Sequence, residues 1–306
     1  SGPFNFDYSF KSKLLIVFAT TEYKNLIQRD YINGTPEQLR QKDDFFIHTP
    51  SNWSKKGFLD IGFREDQIIV VPHGIDLDTF DLISFEEKTN LRNRYKIKAD
   101  DFVLTNISAM FTNKGVETLI AAYGVLKKKN KNLKLILKDQ SNLYEITTEY
   151  LFEKLKKTEL NSKYNIINNE MMRDIIVISE NLNLEEIKNI YSITDCYVSP
   201  YLGEGFNLTP LEAAACGTQI VVTKGGATDD YFDKCLGYQI ESTEKKINNS
   251  YLLEPKLDSL VHILENKIIN KLDNSKIIRS KYVHENFSWS SAVKQLRNEF
   301  LKKLNL

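Results

Sequence analysis

Glu204-Gly-Phe-Asn-Leu-Thr-Pro-Leu-Glu-Ala-Ala-Ala-Cys-Gly217 sets two carboxylates eight positions apart, across a glycine-bearing loop and the start of a helix. Thr209 is expected to be the N-cap, Pro210 the first helical residue, and Gly217 the position after the helix where positive φ is tolerated. Glu204 then lies in the loop and Glu212 in the first turn. The N–H groups of Phe206, Asn207 and Leu208, next to Gly205, gather where the helix dipole favours an anion such as a diphosphate. Thr-Pro-Leu-Glu at 209–212 also reads as a capping box, with Glu212 bonding back to the Thr209 N–H. Both readings of Glu212 stay open; Glu204 has no such structural explanation.

Outward from this stretch the chain alternates strands and helices. Expected strands are 13–19, 44–48, 68–71, 102–108, 133–138, 174–179, 195–199, 219–223 and 236–240. Several are nearly continuous apolar runs, such as Gln219-Ile-Val-Val-Thr223, which suit strands covered on both faces of a parallel sheet. Helical patterns fall at 115–129, 145–158, 184–194, 209–216, 256–272 and 275–285, with a final amphipathic helix over 289–304. Repeated βα units predict a doubly wound α/β architecture with ligands at the carboxyl ends of the strands. The polar stretches 160–172 and 241–250 read as exposed loops. No internal repeat is evident.

Composition sets limits. At 306 residues the chain exceeds the usual single-domain size. Lys+Arg and Asp+Glu both number 41, so no global field attracts nucleic acid or a membrane surface. Cys196, Cys216 and Cys235 lack C-x-x-C spacing and read as buried reduced thiols of a cytoplasmic protein. The apolar run Leu14–Ala19 is too short for a membrane span, and no signal-peptide pattern precedes it.

The segment 204–217 resembles the E-x7-E signature of retaining GT-B-fold glycosyltransferases, family 4 (glycosyl transferases group 1), which runs roughly E-G-F-G-L-x-x-L-E-A-M-A-C-G. The resemblance implies that Glu204 contacts the donor sugar near its 3- and 4-hydroxyls and that Glu212 binds the nucleotide ribose. The chain departs from it by Asn207 for Gly, by Ala214 and Ala215 around the Met, and by Thr218 for Pro; no carboxylate is lost. Asn106-Ile-Ser-Ala-Met-Phe-Thr-Asn-Lys114-Gly115 resembles the family's G-R-L-x-x-x-K-G element, whose Arg and Lys hold the donor diphosphate. Lys114 matches, but Ala109 stands at the Arg position. Lys138, leaving the next strand at the same sheet edge, is the candidate replacement.

Pro72-His73-Gly74-Ile75-Asp76 resembles the family's P-N/H-G-V-D interdomain junction, and Phe287-Ser-Trp289 resembles its F-S-W helix, which crosses back to the first domain. Three parts follow: a partial N-terminal Rossmann-like domain at 1–75, a nucleotide-sugar-binding Rossmann-like domain at 76–285, and a crossing helix at 286–306. The first part holds three strands, fewer than the family's N-terminal domain normally has. His73, Gly74, Asn113 and Gly226 are candidates for the interdomain cleft; His48, His262 and His284 read as structural. Thr228, in Lys224-Gly-Gly-Ala-Thr-Asp-Asp230, is expected to cap a helix. The run Lys127-Lys-Lys-Asn-Lys131 reads as a solvated helix terminus.

The resemblance implies a retaining, metal-independent, hexosyltransferase-like enzyme. Its donor is a nucleotide-diphosphate sugar such as a UDP- or GDP-sugar, and it needs no cofactor and no nucleic acid. Lys114 and Glu204 are the catalytic candidates, and the acceptor, a glycan, lipid or protein, stays open. The short first domain and the start at Ser1-Gly2 support an alternative, a nucleotide-sugar-binding module or fragment of a larger transferase, inactive unless upstream residues are restored. A sugar-nucleotide epimerase of the same architecture is a third reading and should show catalytic acids in a complete first domain.

Overall fold

A computed structural model describes residues 4–5, 14–25, 31–32, 35–248, 250–269 and 271–304. In chain order its strands are β1 Phe4–Asn5, β2 Leu15–Phe18, β3 Tyr31–Ile32, β4 Phe45–Thr49, β5 Ile68–Val70, β6 Phe102–Ile107 and β7 Leu133–Lys138. They continue as β8 Ile175–Ile178, β9 Cys196–Ser199, β10 Gln219–Thr223, β11 Gly237–Ile240, β12 Ser242–Ile247 and β13 Ser250–Pro255. Each of the nine expected strands forms, within two residues of its expected ends. Residue 13 of the first, and residue 270 of the helix expected over 256–272, lie outside the described residues.

The larger sheet is parallel, in the order β11-β10-β9-β6-β7-β8, and the smaller is parallel, in the order β2-β4-β5. Helices cover both faces of the larger one, so its strands are apolar on both. Leu135 and Leu137 enter a core with Leu104, Leu119 and Leu260 on one side. Ile136 points the other way, into a core with Val103, Ile190, Leu211 and Ile220. This alternation follows from the two-residue period of a strand. The order reverses between β9 and β6, the pair whose carboxyl-end loops make the site described below.

The smaller sheet has its own core of Leu39, Phe45, Ile47 and Phe58. Its other face, with Phe46, Ile69 and Val71, is covered by Ala292, Leu296 and Phe300 of the helix Trp289–Lys303. The link after β5 lies directly on the start of that helix: the Ile75 N–H donates to the Phe287 carbonyl at 2.7 Å. A Cβ on Gly74 would stand 2.4 Å from the Trp289 backbone, so this position requires glycine for a close approach.

Several local expectations are corrected. The loop expected at 241–250 is an antiparallel hairpin of β12 and β13. Its outward face carries Lys245 and Glu254, paired at 2.6 Å, and this polarity hides the strands from a hydrophobic-pattern reading. Its inward Leu253 packs with Trp53, Tyr201 and Ala227. The loop expected at 160–172 contains the short helices Glu159–Tyr164 and Asn169–Arg173, each N-capped by a side chain, from Thr158 and Asn168. The long helix expected from 256 is Leu257–Ile263 followed by a π turn, Leu264–Ile268.

Thr228 caps no helix. It lies inside a short 3-10 turn, Ala227–Asp230, and its hydroxyl donates to the Thr223 carbonyl. Lys127 is not solvated: it is buried, pairs with Asp174 at 2.8 Å and donates to the Leu133 carbonyl. Cys196 and Cys216 are buried free thiols, whereas Cys235 is half-buried. Among the described residues no helix is long and apolar enough to cross a membrane.

Asp195, at the start of β9, ties the helix Phe85–Arg94 to the sheet. It accepts from the Val103 N–H at 2.9 Å and pairs with Arg92 at 3.1 Å and Lys88 at 3.3 Å. Replacing it by alanine leaves two mostly buried cations without a counter-charge. Asp195→Ala is therefore expected to cost about 3–5 kcal/mol in urea unfolding, and a loss below about 1 kcal/mol would refute this role.

Candidate functional site

Segments at the carboxyl ends of six strands converge: residues 19–25 after β2, Pro50 after β4, 71–75 after β5, 108–115 after β6, 140–144 after β7 and 200–207 after β9. They enclose a cavity of about 680 Å³. The segments after β6 and β9 are stitched by backbone. Gly115 has φ 65°, and a Cβ on it would stand 1.8 Å from the Pro200 carbonyl oxygen. The Leu202 N–H donates to the Asn113 carbonyl at 2.7 Å.

This contact sets Lys114 against Glu204. The Lys114 Nζ donates to Glu204 Oε1 at 2.7 Å, and both side chains are mostly buried, 19% and 13% exposed. Burial pushes the Glu204 carboxyl above its ordinary range, Lys114 opposes that, and the charge of Glu22 adds to it. Burial pulls the Lys114 ammonium down, but Glu204 and Glu22 outweigh it, and the ammonium is held above its ordinary value.

Glycines flank Glu204 because the loop after β2 lies on them. A Cβ on Gly205 would stand 2.3 Å from Thr20 Oγ1, and one on Gly203 would stand 2.9 Å from the Glu22 carbonyl oxygen. The Ser51 hydroxyl donates to the Gly205 carbonyl at 2.6 Å. Glu22 itself reaches the cavity wall, accepting from Asn113 Nδ2 at 3.1 Å.

The helix after this loop is Leu208–Ala215, and its N-cap is Asn207, not Thr209. Asn207 has φ 70°, a left-handed conformation that Asn and Gly adopt most readily, which accounts for Asn at the position where the resembling signature carries Gly. Its amide donates to Ser199 Oγ at 2.9 Å and caps nothing. Thr209 accepts from the Tyr197 hydroxyl at 2.7 Å. The N–H groups of Leu208 and Thr209 are therefore free of side-chain caps at the cavity wall, where the helix dipole favours an anion. Gly217, at φ 78°, ends the helix as expected.

Glu212 lies in the second turn and makes no capping box: its Oε2 accepts from the Tyr191 hydroxyl at 2.8 Å. Burial raises its carboxyl, and the Tyr191 hydrogen bond partly offsets this. Of the candidates, Glu204, Lys114, Gly205, Phe206, Asn207, Leu208, Thr209, His73 and Asn113 line one cavity. His73 packs edge-on against Phe206 at 5.1 Å; burial first, then His48, lowers its basicity.

Glu212, Lys138, Gly74 and Gly226 are outside that lining. Lys138 is buried with its Nζ on the Asp139 carbonyl, and burial lowers its basicity against the pull of Asp139 and Glu180. Gly226 lies under the Tyr201 hydroxyl. Sequence reasoning missed Thr20, Glu22, Tyr23, Ser108, Gln140 and Tyr144, all on the lining. Their position just past strand carboxyl ends was the available signal. Among the described residues, no group of three or more His, Cys, Asp or Glu could hold a metal ion.

Residues 87–254 match the family of glycosyl transferases group 1, and the chain belongs to it. An uncharacterized glycosyltransferase of Methanocaldococcus jannaschii is 25% identical over 97% of this chain and 70% of its own length. The lipopolysaccharide 1,2-N-acetylglucosaminetransferase of Salmonella typhimurium is 24% identical over 85% of this chain and 64% of its own. Another M. jannaschii glycosyltransferase is matched over 54% of its length, so the chain spans little more than half of that relative. Among solved structures, a glycosyltransferase from Rickettsia africae superposes with a TM-score of 0.69 at 17% identity, over 94% of this chain and 70% of that one. Anabaena HepE, solved with UDP and glucose, gives 0.65 at 17% identity, over 84% and 63%. Both likenesses establish the GT-B type of fold.

The environment of Glu212 gives a pH-dependent expectation. Its folded pKa is raised, so its contribution to stability is complete below the ordinary value of 4.5 and is lost as pH rises through the folded value. Glu212→Gln keeps an acceptor for Tyr191 and removes the charge. Its melting temperature is expected to exceed wild type at pH 7, with the gap closing below pH 4.5. A variant less stable than wild type at pH 7 would refute this assignment of the Glu212 charge as destabilising.

Proposed function

We propose that the chain is the donor-binding and transfer part of a retaining glycosyltransferase using a nucleotide-diphosphate sugar, without a metal ion. The observation carrying this is the Lys114–Glu204 pair beside an uncapped helix N-terminus in one interdomain cavity. The HepE complex with UDP and glucose supports uridine donors as the first to test.

In this reading the donor diphosphate docks on the Leu208 and Thr209 N–H groups and draws Lys114 from Glu204. The ammonium and the amides stabilise charge building on the departing nucleotide, the kind of fixed electrostatic contribution that accelerates group transfer. Glu204, released from Lys114, accepts from sugar hydroxyls and orients the ring; the acceptor hydroxyl bonds to the anomeric carbon on the face the nucleotide leaves, as the bond to the diphosphate oxygen breaks and that oxygen takes the hydroxyl proton. Glu212, on the same helix face as Leu208 four residues on, is left to hold the ribose. Ala109 at the cavity wall, and Lys138 held on the Asp139 carbonyl, leave Lys114 as the one lysine or arginine on the described lining.

A calorimetric panel of nucleoside diphosphates and their sugars tests this. Lys114→Ala is expected to weaken the diphosphate more than the nucleoside. Glu204→Gln is expected to cut donor hydrolysis or transfer by roughly 10²-fold or more while leaving free nucleotide affinity nearly unchanged. EDTA should change neither. A metal requirement, or full turnover by Glu204→Gln, would overturn the mechanism; tight donor binding with no turnover by the unmodified chain would favour the binding-module reading.

A further inference from the structure

The cavity has an unexplained charge balance. Among its described lining residues, Glu22 and Glu204 are the carboxylates and Lys114 the one lysine or arginine. Lys114 pairs directly with Glu204 at 2.7 Å and also feels the charge of Glu22. One ammonium therefore serves two carboxylates before any ligand arrives. A bound diphosphate competes for that ammonium, and the carboxylates then face the rest of the ligand without a lysine or arginine on the described wall.

Glu22 is held in this position from both sides. Its carbonyl accepts from Trp53 Nε1 at 2.8 Å and lies against Gly203, where no side chain fits. Its carboxylate accepts from Asn113 Nδ2, an amide also bonded to the Gly203 carbonyl at 3.2 Å. The neighbouring Lys24 is tied to Glu244 and the Tyr23 carbonyl to the Tyr251 N–H, so the hairpin β12–β13 fixes the same loop. This is a rigid placement of a carboxylate on a cavity wall, and an unsupported surface glutamate has no comparable set of contacts.

We propose that Glu22 is a specificity-determining residue: with Glu204 it forms a doubly anionic sugar subsite that accepts an uncharged, hydroxyl-rich sugar and rejects a hexuronic acid. The proposal rests on the nucleotide-sugar reading above. Hydroxyls of a neutral ring donate to both carboxylates, forming charge-assisted hydrogen bonds. A uronic carboxylate instead brings a like charge into a partly buried site, where repulsion is poorly screened.

The test uses donor pairs matched in nucleotide and differing only at C6, UDP-glucose against UDP-glucuronate and GDP-mannose against GDP-mannuronate, with free UDP and GDP as controls. Affinities are measured for the wild-type chain, Glu22→Gln and Glu22→Asp. Wild type is expected to bind the neutral donor at least about tenfold more tightly than the uronate, a difference of about 1.4 kcal/mol. Glu22→Gln should narrow that ratio several-fold without weakening the free nucleotide, and Glu22→Asp should keep the rejection. Equal affinity for both donors in wild type, or an unchanged ratio in Glu22→Gln, overturns the proposal. Equal weakening of free nucleotide and donor in Glu22→Gln also overturns it, making Glu22 a prop for Lys114. Failure to bind any nucleotide or donor would remove the nucleotide-sugar reading, and this proposal with it.

Discussion

The site depends on one backbone contact, the approach of the loop after β6 to the loop after β9. Gly115 allows it by its left-handed φ and missing Cβ, since any side chain would collide with the Pro200 carbonyl. The Asn113 carbonyl then accepts the Leu202 N–H. With the two loops in register, Lys114 and Glu204 cannot avoid each other, although 90 residues separate them in sequence. Because β6 and β9 are neighbours where strand order reverses, the pair falls in the crevice that doubly wound sheets reserve for ligands.

Burying a carboxylate is costly unless it is paired and hydrogen-bonded. Glu204 meets that condition with Lys114, yet its carboxyl still sits above the ordinary range because burial outweighs the pairing. An arrangement whose charges are imperfectly settled responds to a ligand that redistributes them. The uncapped N–H groups at Leu208 and Thr209 have the same character: a side-chain cap from Asn207 would take the Thr209 N–H, but the left-handed N-cap turns that amide toward Ser199. Unsatisfied N–H groups and a perturbed, buried carboxylate, Glu204, on one cavity wall are the physical marks of a binding site.

The elements around the smaller sheet contribute more than a wall. Their loop 20–24 is clamped between Gly203 and Gly205 on one side and the hairpin β12–β13 on the other, with Trp53 packing against Tyr201 and Leu253. The helix Trp289–Lys303 then straps the smaller sheet to the junction at Ile75. These contacts fix where Glu22 stands relative to Lys114, and hence the charge that the Lys114 ammonium experiences.

The sequence by itself determined the strand–helix alternation and the parallel sheets, and it singled out Glu204 and Lys114 as candidates, whose pairing only the structure shows. Continuous apolar runs and glycine-punctuated loops are local signals, and the E-x7-E stretch is dense in them. It misplaced the N-cap at Thr209 and left the role of Glu212 open, because cap geometry turns on the φ of Asn207 and on Tyr191, a partner 21 residues away. It missed the hairpin, whose outward charges mask its one inward leucine, and it missed Glu22, which carries no motif. Only the tertiary structure placed these groups: the packing of the smaller sheet's elements on those of the larger one, and not local propensity, sets which polar groups are buried and what each of them faces.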